Sequence, residues 1–242
     1  MTREDHPEIR ISSGFAEAGV RVRLGCLTAR VSVREDDPAT KQAVSDLAVR
    51  LAQELAGELA GTTVGDLPVI SEVRRAFRAL GKDPSRYRPS SEALLRRVAQ
   101  GKGLFNVNNL VDTNNLISLT SRFPAGAYDL ARLDGAFETG IDLRVGRDGE
   151  TYEAIARGPF NLANLPVLCD RIGPFGSPTS DSARTMVTAD CRDALLVLYG
   201  FGEAQGLDAG LDEGLDSALD AAETALRHYC DGDVTARWRA GP

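Results

Sequence analysis

The sequence predicts an α+β fold, and three observations predict it. Apolar residues recur at helical spacing through residues 38–119. Strand patterns dominate residues 137–199. An alternating strand near the start and a long amphipathic helix near the end bracket the two blocks.

The elements follow in order. Val20, Val22, Leu24 and Cys26 alternate with Arg21, Arg23 and Gly25, which reads as a half-buried strand; Val31 and Val33 extend it after a bend or begin a second short strand. Asp36-Asp37-Pro38 opens a helix, with acids at the positive end of its dipole; Val44, Leu47, Leu51 and Leu55 form its apolar stripe. Val69, Ile70, Val73, Phe77 and Leu80 mark the next helix, closed by Gly81. A third starts at Pro89-Ser90-Ser91-Glu92, with a serine expected as N-cap. Leu104 to Leu119 reads as a helix interrupted by five asparagines, whose amides demand many hydrogen bonds. Phe137 to Val145 alternates as a strand, Asp148-Gly149 signals a hairpin and Tyr152 to Ile155 returns. Val167 to Cys169 and Ala194 to Tyr199 are short buried strands. A final helix spans about Asp208 to Tyr229, and residues 231–242 read as a flexible tail. Residues 1–230 are expected to form a single domain.

Composition narrows the function. A chain of 242 residues, 43% apolar, builds a core without disulfide or metal staples. Its net charge of −7 excludes a generally basic nucleic-acid protein, though not a local basic patch. Cys26, Cys169, Cys191 and Cys230 are too scattered for a zinc ribbon, suit a reducing cytoplasm and read as small buried hydrophobes. No signal peptide and no membrane span is expected. The two histidines, His6 and His228, are too few for a catalytic triad or a multi-histidine zinc site, and no Walker or dinucleotide-binding loop occurs. Asp212, Asp216 and Asp220 read as a solvated helix face rather than a metal site. No metal or cofactor is expected.

Three stretches carry chemistry. Between Arg74 and Lys102 nine basic residues stand against Asp83 and Glu92, and Phe77 and Tyr87 lie among them; positive groups with aromatic faces suit phosphates and unpaired bases. The second is Asn108-Asn109-Leu110-Val111-Asp112-Thr113-Asn114-Asn115. The third, Gly176 to Thr185, packs hydroxyls, Asp181 and Arg184 into one Gly/Pro loop. Each has a plain reading beside it: a solvated helix pair, a hydrogen-bonded helix start, and a loop of Asx and ST turns.

Arg75 to Arg97, Leu110-Val111-Asp112-Thr113-Asn114-Asn115 and Pro124-Ala125-Gly126-Ala127-Tyr128-Asp129-Leu130 resemble the B-three/B-four module, the editing domain of the bacterial phenylalanyl-tRNA synthetase beta subunit, and its free-standing relatives most of all. The resemblance is strongest over residues 69–199. It implies a layered β/β/α core and a link to the acceptor end of aminoacyl-tRNA. Asp112 and Asn115 match the family's aspartate and asparagine. Asn114 stands in place of a threonine, Gly126 in place of the editing-pocket histidine, and Val197 where a glutamate is expected.

The resemblance implies a trans-editing hydrolase of mischarged aminoacyl-tRNA, not a synthetase. Asp181, Ser180 and Thr185 are the candidate catalytic residues, with Asp181 orienting water or anchoring an ammonium. Asn109, Asp112, Asn114, Asn115, Gly126, Thr179, Ser182 and Arg184 are candidates for the amino-acid moiety. Arg74, Arg75, Arg78, Lys82, Arg86, Tyr87, Arg88 and Ser90 are candidates for tRNA. Two alternatives stand beside this reading: a non-catalytic tRNA-binding module, and a binder or hydrolase of amino-acid-like small molecules.

Overall fold

The computed structural model describes residues 6–204 and 209–241. In chain order the elements are β1 (Ile9–Ile11), α1 (Gly14–Glu17), β2 (Val20–Arg30), α2 (Pro38–Glu58), α3 (Pro68–Ala79), α4 (Ser90–Ala99), α5 (Asn109–Ser121), β3 (Ala125–Asp129), β4 (Ile141–Val145), β5 (Thr151–Ala154), β6 (Gly158–Asn161), β7 (Pro166–Cys169), β8 (Pro174–Gly176), β9 (Asp193–Glu203), α6 (Ala209–Cys230) and β10 (Asp233–Ala240).

The backbone of the fold is the antiparallel pair β2 and β9, each 11 residues long, at the centre of a sheet ordered β10-β2-β9-β3. Side chains alternate across it. Leu24, Cys26, Val197, Tyr199 and Tyr128 face a second sheet, β1-β4-β7-β8. Leu27, Ala29, Leu196 and Leu198 face α6 and the start of α5. The layers therefore run sheet, sheet, helix, and the central strands are buried on both faces. A third apolar cluster joins α2, α3, α4 and α5 through Leu51, Leu55, Ile70, Leu95 and Leu119.

Several expected elements differ. The helix of residues 104–119 begins only at Asn109, because Asn108 caps it by accepting the Val111 N–H at 2.9 Å. The strand expected from Phe137 starts at Ile141, and Phe137 is exposed. The Asp148-Gly149 turn exists, with Gly149 at φ 72°. It joins no hairpin, since β4 pairs with β1 and β7 while β5 pairs with β6. The N-cap of α4 is Pro89 rather than a serine. The expected start of the last helix at Asp208 lies outside the described residues.

The largest correction is the tail. Residues 233–240 form β10, paired along β2 from Asp233 opposite Arg30 to Ala240 opposite Leu24. Its polar alternation concealed it: Arg237 and Arg239 reach Asp220 and Asp216 on α6, while Trp238 turns back onto the core and stacks on His6. Asp212, Asp216 and Asp220 are thus one side of an ion-pair ladder to Arg23, Arg237 and Arg239, not a bare solvated face.

Candidate functional site

Asp181 sits at the end of the loop after β8, at the rim between the two sheets. Its Oδ1 accepts the Tyr128 hydroxyl at 2.8 Å and the Ser177 N–H at 3.2 Å. A phenol has one hydrogen to give. Tyr128 gives it to Asp181, so the Tyr199 hydroxyl, 2.8 Å away, is the donor in its contact with Tyr128. Both phenols are fully buried and held neutral, since burial and the nearby carboxylate push their ionisation well above the ordinary range.

Burial also raises the Asp181 carboxyl, to about 7, although the bonds from Tyr128 and the Ser177 N–H pull the other way. Asp181 keeps part of its surface open, and its Oδ2 takes no hydrogen bond among the described residues. The result is a clamped carboxylate with one free oxygen and an ionisation midpoint near neutrality, the condition that suits a general base.

Tyr128 explains the glycine at 126. Gly126 and Tyr128 are two apart on β3 and share a face, and Gly126 lies opposite Val197. A Cβ at Gly126 would overlap the Tyr128 hydroxyl, and so would a Cβ at Gly176 on the facing sheet. The ring lies between two glycines, in space that side chains at either position would need. Phe175 meets it edge-on at 4.9 Å.

The rest of the loop divides. Ser177 Oγ gathers the Thr179 and Ser180 N–H groups at 3.3 and 3.2 Å and donates to Ser180 O, an ST turn of the kind the plain reading expects. Tyr152 closes it by donating to the Ser180 carbonyl. The Ser180 side chain is half-buried and makes no hydrogen bond among the described residues. Ser182 Oγ accepts the Arg184 N–H, and the Arg184 guanidinium is held in a two-bond pair with the buried Asp170. Thr179 and Thr185 are buried, and neither hydroxyl has a partner among the described residues.

The asparagine stretch lies elsewhere, at the start of α5. Asn109 is fully buried: its amide donates to Ser32 O and Tyr229 O and accepts the Arg34 N–H at 2.7 Å. Asp112 accepts the Val107 N–H, and burial raises its carboxyl. Asn114 donates to Ala125 O beside Gly126, and its buried Oδ1 has no partner among the described residues. Asn115 is half-buried. Asn109 and Asp112 therefore tie the helix to its neighbours, and only Asn114 reaches toward β3.

In the basic segment, many of the charges are spent internally. Glu92, fully buried, holds Arg74 at 3.0 Å and Arg96 at 2.8 Å, with Arg88 at 3.6 Å. Arg75 pairs with Glu72. Lys82 is buried against two carbonyls and the Tyr87 ring; burial, then Arg86, brings its ammonium down to about 8. Arg78 and Arg86 stay exposed without an ion pair among the described residues, and the Arg88 side chain is partly exposed. At the other end, the Ser90 N–H donates to Pro178 O at 2.8 Å, tying the start of α4 to the Asp181 loop.

Tyr128, Tyr152, Tyr199 and Ser177 are the members of this site that sequence reasoning missed. Strand alternation from Gly126 to Tyr128 was the available signal. The cysteines are all buried, and desolvation raises every thiol, Cys191 to about 12 and Cys169 and Cys230 to about 11, which disfavours the nucleophilic thiolate. A cavity of about 660 Å³ between α3, the end of α5 and α6 contains neither Asp181 nor an arginine, so the chemistry and the large cavity lie apart. Among the described residues no cluster of three or more His, Cys, Asp or Glu side chains is arranged to hold a metal ion, and no helix is long and apolar enough to cross a membrane.

The B3/4 domain family model matches residues 72–230. The chain belongs to the B3/4 domain family. The match takes in the basic segment, α5, both glycines around Tyr128 and the Asp181 loop of this B3/4 chain. A search of curated proteins returned no match. Among solved structures, this B3/4 chain is similar to an N-terminal fragment of the phenylalanyl-tRNA synthetase beta-subunit from Pyrococcus horikoshii, with 11% identity and a TM-score of 0.44 over 100% of this chain and 57% of that one. The chain thus spans little more than half of that fragment.

Proposed function

We propose that this B3/4 chain hydrolyses the ester of a mischarged aminoacyl-tRNA in trans. One observation carries the reading: the bond from the Ser90 N–H to Pro178 O joins the arginine-bearing segment to the loop that holds Asp181. A phosphate backbone held by Arg78, Arg86 and Arg88 would bring its 3′ end toward a carboxylate tuned near neutrality.

In this reading the ionised Asp181 takes a proton from water at Oδ2. The water oxygen attacks the ester carbonyl carbon. The bond to the terminal ribose oxygen then breaks, and that oxygen recovers the proton, leaving free amino acid and tRNA. Tyr128 and the Ser177 N–H fix the carboxylate, and the Ser180 hydroxyl donates to the developing oxyanion. Thr179, Thr185, Ser182 and Arg184 shape the loop behind it.

The test is deacylation of a panel of correctly and wrongly charged tRNAs at sub-stoichiometric protein, with Asp181→Asn alongside. Turnover of a mischarged species that is lost in the variant supports the proposal; no turnover with any of them contradicts it. The filled space over Gly126, where the family's histidine would stand, favours one second reading, a tRNA-binding module without hydrolysis. Binding without turnover is its signature.

A further inference from the structure

One aromatic side chain stands out from the surface among the described residues. Phe105, in the loop between α4 and α5, is 72% exposed, the most exposed of the large apolar residues among those described. The Arg97 guanidinium lies over its ring at 4.3 Å. That guanidinium is fixed by two bonds to the Gly103 carbonyl, at 2.7 and 3.2 Å. Lys102 beside it is exposed and has no ion pair among the described residues. An exposed ring capped by a fixed cation, with a second cation next to it, presents both a π-face and positive charge.

The position matters as much as the chemistry. Arg97 is seven residues after Ser90 on α4, nearly two full turns, so the two share a helix face about 10 Å apart along the axis. Ser90 touches the Asp181 loop. The face between them is half-buried, through Ala93 and Leu94. α4 thus forms a short track with an aromatic platform at one end and the carboxylate loop at the other.

We infer that Phe105 and Arg97 form a stacking platform for an unpaired base in the single-stranded 3′ end of tRNA, with Lys102 on the adjoining phosphate. This inference rests on the functional reading above and extends it: a strand whose terminal ester lies at Asp181 runs back along α4, and an upstream base lies on Phe105. A base has a π-face whatever its identity, so the platform gives affinity and register without sequence preference. Charge complementarity selects this occupant. An apolar protein partner would not use a guanidinium fixed over the ring, nor the lysine beside it.

The experiment is fluorescence anisotropy with two probes: a tRNA transcript ending in its single-stranded CCA, and the same transcript with those three nucleotides removed. Phe105 is exposed, so substitution leaves the core intact, and circular dichroism confirms folding. Phe105→Ala is expected to weaken binding of the intact transcript by about tenfold, the scale of one base–aromatic stack, while the truncated transcript binds as before. Phe105→Trp is expected to retain affinity. Unchanged binding of the intact transcript by Phe105→Ala, with the wild type binding it well, overturns the platform and leaves the hydrolase reading standing. Absence of binding by the wild type overturns both. Equal weakening for both probes contradicts placement on the 3′ end.

Discussion

Two polar clusters share this molecule, one at the start of α5 and one in the loop after β8, and they use their hydrogen bonds in opposite ways. Around Asn109 the accounts close: two donors reach two carbonyls and the amide oxygen takes a backbone N–H. Around Asp181 they stay open: one oxygen is clamped by Tyr128 and the Ser177 N–H, and the other has no partner among the described residues. A cluster whose valences are filled holds the fold together. A residue with a valence left over is open to a ligand, and that difference separates Asn109 from Asp181, which look equally chemical in sequence.

The largest expected effect breaks the open cluster. Asp181→Asn keeps the shape and the acceptor for Tyr128 but cannot take a proton, so deacylation should fall by roughly 100-fold or more in single-turnover assays. Tyr128→Phe should lower the rate less, because it removes one clamp and not the base.

The closed cluster should break differently. Asn109→Ala orphans the Ser32 carbonyl and the Arg34 N–H in a fully buried site, leaves the Tyr229 carbonyl only its bond from the Arg34 guanidinium, and should cost roughly 3 kcal/mol in urea unfolding. The folded fraction should keep its turnover rate. A loss of turnover without a loss of stability would reverse the comparison and make Asn109 part of the site.

Gly126→Ala comes next. The added Cβ meets the Tyr128 ring, which Gly176 confines from the other side, so destabilisation of about 2 kcal/mol is expected from overpacking. A neutral Gly126→Ala would mean that Tyr128 moves easily and that the space over Gly126 opens into a pocket.

The remaining effect is a pH dependence of stability. Asp181 has its carboxyl raised by folding, to about 7. The stability contributed by its protonated form is complete below the unfolded value, about pH 4, and is lost as pH rises through 7. Asp181→Asn removes that loss. Its Tm should therefore exceed that of the wild type at pH 8, with the gap shrinking toward pH 5, in a thermal melt series.

Much of the architecture was legible because its elements carry strong periodicity. The helix from Pro38 shows a capping aspartate and a long leucine stripe, and β2 and β9 are alternating or continuously apolar. What escaped were elements defined by a distant partner. β10 alternates charged and apolar residues, and only β2 and the acids of α6 give that pattern a meaning. The Asp148-Gly149 turn promised a hairpin, but the strand after it found β6 instead of β4.

The site was partly legible for the same reason. Asp181 and Ser180 were visible as polar residues in a Gly/Pro loop. Tyr128 and Tyr199 were not, because a buried tyrosine reads as core until the carboxylate that uses its hydroxyl is known in space. The charge count of the basic segment also misled in detail: it cannot tell that Glu92 binds Arg74 and Arg96, or that Lys82 is buried, leaving Arg78, Arg86 and part of Arg88 outward.

The central claim is that an ionised Asp181, tuned near neutrality, is the base for ester hydrolysis. The pH profile of kcat/KM for a mischarged tRNA, from pH 5.5 to 8.5 and corrected for spontaneous ester hydrolysis, tests it most directly. The account predicts a rise of close to tenfold per pH unit at the acid end, a bend near 7, a plateau above it, and no bend in Asp181→Asn. A flat corrected profile, or an Asp181→Asn variant as active as the wild type, would contradict it.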